Sequence, residues 1–324
     1  MTLILDNDAV VASTDVRAII DALEDGLRAE AAGGVDTVPR INLAAGGEFF
    51  RLMPVVIPGM DIMGFKVFNG SIAQGVRYVI GLYRASSGEL LSLMDASYLT
   101  AARTGATTGL ATRLITPEDE VPVVGVIGSG LEARTNLEAI CAVRTVREVK
   151  VFSRDADRRA RFAEEMGERL QLDVRPVASG AEAADAEAVL VATNTGMNTG
   201  RVALEADWLP SAAHVSTIGS TMPALREVDA ELFARADVVV VDTEHARNES
   251  GDLIAAVEGG QWSDDKLRLL HELPGTDNPV AGPLTVFKSV GTATQDIIAA
   301  AATYETARAR GLGRDVDFLD LKVF

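Results

Sequence analysis

Val121-Pro122-Val123-Val124-Gly125-Val126-Ile127-Gly128-Ser129-Gly130-Leu131-Glu132-Ala133 is the stretch on which the fold turns. Residues 121–127 are an almost continuous apolar run, as a strand buried on both faces of a parallel sheet requires. Residues 128–133 then match G-x-G-x-x-A. In that spacing Gly128 permits the tight turn, Gly130 lets the backbone approach a pyrophosphate, and Ala133 lets helix and strand pack closely. A helix starting near Leu131 would turn its free N–H groups towards an anion. A glycine turn alone serves many loops; the strand before it and the helix after it are the context a dinucleotide site needs.

On the C-terminal side, strand-like runs at 148–152, 174–178, 188–192, 214–218 and 238–241 alternate with helical stretches, the clearest at about 155–170. That pattern predicts an α/β fold with a doubly wound parallel sheet of Rossmann type. On the N-terminal side the character is α+β. Residues 14–31 read as an amphipathic helix with Val16, Ile19, Ile20, Leu23 and Leu27 on one face. Strand-like runs follow at 49–56, 62–68, 77–83 and 90–94, punctuated by Gly59, Gly70 and Ser86-Ser87-Gly88. A helix rich in alanine and threonine covers 95–115. The polar stretch Thr116-Pro117-Glu118-Asp119-Glu120 is the boundary candidate. A last helix at about 292–308 lies beyond the sheet pattern and is expected to return to the first domain. The expected domains are 1–118 with about 292–324, and 119–291.

Composition narrows the function classes. A chain of 324 residues favours two domains, and 48% hydrophobic residues suffice for real cores. No run of eighteen apolar residues reads as a membrane span, and the start of the chain lacks a basic, then apolar, leader pattern. A cytoplasmic location is expected. The net charge of −17 repels phosphate backbones, so no nucleic-acid partner is expected. Cys141 is the single cysteine and reads as a small buried hydrophobe. The histidines, His214, His245 and His271, lack ligand spacing, so no metal site is expected.

Several polar residues stand where chemistry could use them. The second strand of the parallel pattern ends in Ser153-Arg154-Asp155. A carboxylate there would bind the ribose 2′-hydroxyl of NAD, whereas Arg154 suits the 2′-phosphate of NADP. The residues favour NADP(H) over NAD(H); Asp155 keeps NAD open or simply caps the next helix. Gly64-Phe65-Lys66-Val67-Phe68 sets a lysine in an apolar strand. Lys66 is either solvated on an outward face or faces a cleft and binds an anionic group, since an unpaired buried ammonium is costly. Leu99-Thr100-Ala101-Ala102-Arg103-Thr104 places an arginine among small helical residues, where it needs a partner such as a substrate carboxylate. Arg40 and Arg51 are weaker candidates of the same kind.

Together these segments resemble the ornithine cyclodeaminase and mu-crystallin family. The resemblance runs in order through Val38-Pro39-Arg40, Gly64-Phe65-Lys66, Met94-Asp95-Ala96, 99–104, 128–133, 219–228 and Thr285-Val286-Phe287-Lys288-Ser289-Val290-Gly291. It implies a Rossmann domain at 119–291, a substrate-binding and dimerisation domain from the remainder, a homodimer, and NAD(H) or NADP(H) as cofactor. It implies that Arg40, Lys66 and Arg103 hold the carboxylate of a small amino or imino acid, with Tyr78 and Thr221 beside it and Lys66 and Arg103 catalytic. The implied cofactor set is Thr104, Gly128, Ser129, Gly130, Leu131, Glu132, Ala133, Ser153, Arg154, Thr193, Gly219 and Ser289.

Two departures bear on the reaction. Ornithine cyclodeaminases carry an aspartate where this chain has Thr221, and a threonine hydroxyl is a poor base near neutral pH. The ketimine-reducing mu-crystallin branch also has a hydroxyl residue there. Many members have a threonine where this chain has Tyr78. The expected function is therefore an NAD(P)-dependent reduction of a small ketimine or imino acid to an amino acid, or the reverse. A cyclodeaminase releasing ammonia, and a non-catalytic protein binding NADPH and a small ligand, are the alternatives.

Overall fold

A computed structural model of the chain describes residues 1–71, 74–116, 120–194, 201–275 and 282–317. Pro117, Glu118 and Asp119, the middle of the expected boundary, lie outside the described residues, as do 318–324 of the expected first domain.

In chain order the first part comprises β1 (Thr2–Leu5), α1 (Asn7–Ser13), α2 (Val16–Ala31), β2 (Asp36–Thr37), β3 (Ile41–Ala45), β4 (Glu48–Ile57), β5 (Ile62–Ser71), β6 (Gly75–Arg84), β7 (Leu90–Asp95) and α3 (Ser97–Ile115). Then come β8 (Val123–Ile127), α4 (Leu131–Val143), β9 (Glu148–Phe152), α5 (Ala156–Leu170), β10 (Asp173–Pro176), α6 (Gly180–Ala184), β11 (Ala188–Val191) and β12 (Ala213–Thr217). The chain continues through α7 (Glu231–Arg235), β13 (Val238–Val241), α8 (Ala246–Glu249), α9 (Gly251–Glu258), β14 (Leu267–Leu269), β15 (Leu284–Lys288), α10 (Ala293–Arg310) and β16 (Arg314–Val316). It divides into two compact units, Met1–Arg103 with Thr292–Phe324, and Thr104–Gly291. The first division falls inside α3. Among the described residues no helix is long and apolar enough to cross a membrane.

The first unit is a mixed sheet in the order β16-β1-β7-β6-β5-β4-β2, with β3 paired to β4. Lys66, Met53 and Ile80 lie directly opposite one another across β5, β4 and β6, and so share a face. Helix α10 packs on that face and on α2. Its start is fixed by a capping box: Thr292 accepts from Gln295 N while the Gln295 side chain accepts from Thr292 N. Gly64 allows the close approach, because a Cβ there would sit 2.9 Å from Ile297 of α10. The face with Lys66 is therefore the covered one, and an outward, solvated lysine is not what the fold makes.

The second unit is a fully parallel sheet in the order β10-β9-β8-β11-β12-β15-β13-β14. Strands β11, β12, β13 and β15 are buried along their length, as sheets covered on both faces require; β11 and β13 are wholly apolar, while β12 and β15 also bury polar side chains. Strand order reverses between β8 and β11, so a crevice opens outside their carboxyl ends. Strand β15 falls outside the strand-like runs read from the sequence, although Gly282-Pro283 precedes it; in the sheet it lies between β12 and β13.

Candidate active site

The first unit assembles a buried charge cluster. Lys66 is 2% exposed, Arg103 6% and Asp296 of α10 0%. Lys66 Nζ lies 2.6 Å from Asp296 Oδ2, and Arg103 Nε donates to Oδ1 at 2.8 Å. Arg103 Nη1 also donates to Gln295 Oε1 at 3.2 Å, so the capping glutamine serves both helix start and cluster. Burial pushes the Lys66 ammonium down to about 8; Asp296 opposes that shift, and the charges of Arg103 and Arg40 add to it. Arg40 is half-buried just before β3. Tyr78 stacks on Phe68 at 5.3 Å, and Phe68 in turn lies 5.5 Å from Lys66 Nζ. Lys66, Arg103, Arg40 and Tyr78 thus belong to one neighbourhood of this unit, and Asp296 is its organiser.

The second unit forms a cavity of about 610 Å³ at the ends of β8, β9, β11 and β12. The turn residues Gly128, Ser129, Gly130, Leu131 and Glu132 make one wall. Ser153 and Arg154 stand at the end of β9, and Thr193 and Gly219 close the side formed by β11 and β12. The turn fits a pyrophosphate. Gly128 has φ +127° and a Cβ there would strike Ala192 O at 2.2 Å, so only glycine makes this turn. At Gly130 a Cβ would meet nothing within 4 Å, which leaves room for close approach. Gly130 is the N-cap of α4 and brings no side chain of its own to the first-turn N–H groups.

Three of the expected cofactor residues do not line this cavity. Ala133 is buried inside α4, where it permits the close packing expected of it. Thr104 is buried in α3. Ser289 is buried and donates to Asp242 Oδ2 at 2.8 Å, part of a turn in which Asp242 also accepts from Val290 N and Gly291 N. Thr221 is half-buried beyond β12, its N–H donating to Gly219 O at 3.1 Å.

Reasoning from sequence missed the buried carboxylates. Glu227 accepts from Thr193 N, Thr193 Oγ1, Gly219 N and Ser220 N. Asp252 accepts from Glu227 N at 2.8 Å and lies 3.5 Å from Lys288 Nζ. These residues, and Asp296, carry no spacing signal; each is one acidic residue among 47. Cys141 is half-buried in α4, and burial pushes its thiol up to about 12, so it is no nucleophile.

The family model for the ornithine cyclodeaminase/mu-crystallin family matches residues 1–311. A Delta(1)-pyrroline-2-carboxylate reductase of Bacillus cereus is 32% identical over 82% of this chain and 84% of its own. Among solved structures, the Thermococcus litoralis Delta(1)-pyrroline-2-carboxylate reductase with NADH and L-proline has a TM-score of 0.89 at 27% identity, covering 97% of this chain and 100% of that one. An archaeal alanine dehydrogenase dimer with bound NAD also has a TM-score of 0.89, at 26% identity over 98% of this chain and 99% of that one. This chain belongs to the ornithine cyclodeaminase/mu-crystallin family.

Proposed function

We propose that the chain is a nicotinamide-dependent oxidoreductase that interconverts a small α-imino acid, a cyclic ketimine first among candidates, and the matching α-amino acid. The observation that carries this reading is the pair Lys66 and Arg103 fixed on one buried carboxylate, Asp296. Two cations sharing a single anion attract a second carboxylate, and an amino or imino acid brings one. Arg103 and Arg40 hold that carboxylate, and Lys66 offers charge and hydrogen-bond donors to the C=N group. When bound, the cofactor supplies a hydride to the α-carbon, and a proton completes the amine. The relatives that this chain resembles act on pyrroline-2-carboxylate or alanine, by their names.

NADP(H) is the favoured cofactor. The Asp155 carboxylate caps α5 by accepting from Arg158 N at 3.0 Å, and that hydrogen bond holds it below the usual carboxylate range. Asp155 lines the cavity together with Arg154 and Arg158 at the same strand end, but its carboxylate is engaged by the helix cap. Two arginines there suit a 2′-phosphate.

A homodimer is the favoured assembly. Ile41, Leu52, Val67 and Val79 lie directly opposite one another across β3, β4, β5 and β6, on the face away from Lys66. Leu43 and Phe50 join them, 61% and 43% exposed. Contiguous exposed apolar surface of this kind marks an interface, and the archaeal alanine dehydrogenase is a dimer.

The test follows the absorbance of reduced nicotinamide. Pyrroline-2-carboxylate, piperideine-2-carboxylate, and pyruvate with ammonia should consume NADPH faster than NADH. Ornithine with NAD should yield no proline, because Thr221 offers no carboxylate base. Proline and ammonia from ornithine without net redox change would overturn the reading, as would absence of turnover with every imino acid.

A further inference from the structure

We propose that Glu227 is a positioning residue for the dinucleotide: its carboxylate clips together the loops leaving β11 and β12, and dinucleotide affinity depends on that carboxylate being ionised. The proposal rests on the reading of the cavity as a dinucleotide site. Glu227 is 0% exposed and lies in the segment after β12. Its Oε1 accepts from Thr193 N at 2.5 Å and Thr193 Oγ1 at 2.9 Å; its Oε2 accepts from Gly219 N and from Ser220 N at 3.2 Å. Thr193 follows β11, Gly219 follows β12, and both line the cavity. One side chain thus sets the separation of two walls without lining the cavity itself.

The hydrogen-bond inventory makes the arrangement sensitive to protonation. Three of the four donors are backbone N–H groups, which cannot accept a hydrogen. A protonated carboxyl would have to aim its own hydrogen at the Thr193 hydroxyl or at one of those donors. Against an N–H donor the clip loses a bond; against the Thr193 hydroxyl that bond reverses, and the three N–H bonds lose the strength an ionised acceptor gives them. The charged groups set against Glu227 are Asp252 of α9 and Lys288 of β15. Asp252 Oδ1 accepts from Glu227 N at 2.8 Å and Val228 N at 3.2 Å, and Lys288 Nζ donates to Thr217 O at 3.3 Å. Burial pushes the Glu227 carboxyl up to about 7, Lys288 pulls it down, and Asp252 pushes it up. The clip therefore changes state close to neutral pH.

The test is the dissociation constant of NADH, read by its fluorescence, between pH 6 and pH 8. NADH is the probe because it lacks the 2′-phosphate, which itself titrates near pH 6. In the wild type, affinity should weaken about tenfold from pH 8 to pH 6, one proton's worth across a midpoint near 7. Glu227→Gln keeps the shape but not the second acceptor. It should bind NADH more weakly at pH 8 and show no change with pH. Thr193→Val removes one bond to the charged form, so its midpoint should move upward. A wild-type affinity that is equal at both pH values overturns the proposal, and this arm needs no variant to fold. So does a Glu227→Gln protein that keeps the wild-type affinity and pH dependence. Failure of both NADH and NADPH to bind at any pH would overturn the dinucleotide reading as well, and so is distinguishable from a flat profile.

Discussion

The two compact units hold their functional groups by opposite means. In the first, the groups are cationic side chains, and one buried carboxylate, Asp296, grips both Lys66 and Arg103. In the second, the groups are backbone N–H donors and loop ends, gripped by Glu227 and Asp242. The units also differ in how they bury a titratable base. Lys66 stays paired with a carboxylate, whereas His214 is flanked by two hydroxyls, Thr285 Oγ1 at 3.0 Å and Ser216 Oγ at 3.2 Å, and burial pushes it down to about 4. A base paired with a buried carboxylate keeps its charge; a base buried among hydroxyls in a sheet interior discards it.

The largest expected effect breaks the grip in the first unit. Asp296→Ala leaves two buried cations without their shared anion and should cost about 3–5 kcal/mol of stability, measured by urea unfolding. A cost within ordinary surface variation would mean that Asp296 does not organise the cluster. Next, Lys66→Ala and Arg103→Ala should each lower kcat/KM by about 10³-fold while the NADH dissociation constant is unchanged. Normal turnover in both variants would sever the cluster from the reaction.

These residues also show what the sequence discloses. Lys66 and Arg103 stood out because a cation is conspicuous in an apolar strand or among small helical residues. Asp296 did not, because an aspartate three residues into a helix reads as an ordinary N-terminal charge; only the packing of α10 on the sheet brings it to Lys66. The same holds in the second unit. The glycine turn at 128–130 was legible because the backbone conformation at Gly128 excludes other residues. Glu227 was not, because three of its four partners are backbone N–H groups that every sequence has. Whole elements followed the rule too. The strands of 148–152 and 238–241 coincide with β9 and β13, whereas β2 is only two residues long and β3, where Ile41 and Leu43 alternate around Asn42, is too short and too exposed to stand out. The side of the sheet on which Lys66 falls could not be read, since strand alternation marks faces without saying which one a helix covers.

Two smaller effects sharpen the contrast. His214 is neutral in the fold and would be protonated below its ordinary value once unfolded, so its contribution is present above pH 6.5 and lost as pH falls towards 4. At pH 5 the wild type should lose about 2 kcal/mol of stability relative to pH 7 that His214→Leu does not lose. Equal acid sensitivity of the two proteins would show that His214 is not held neutral. Arg154→Ala should cut the preference for NADPH over NADH by about tenfold, read as the ratio of dissociation constants. An unchanged ratio would place 2′-phosphate recognition elsewhere.

The most direct measurement of the central claim follows the hydride itself. Reduced cofactor carrying deuterium at the transferable position of the nicotinamide is mixed with the protein and pyrroline-2-carboxylate, and the product is analysed by mass spectrometry. The account predicts proline with one deuterium at the α-carbon, formed in step with cofactor oxidation. Proline without that deuterium, or oxidation of the cofactor with no amino acid formed, would contradict it.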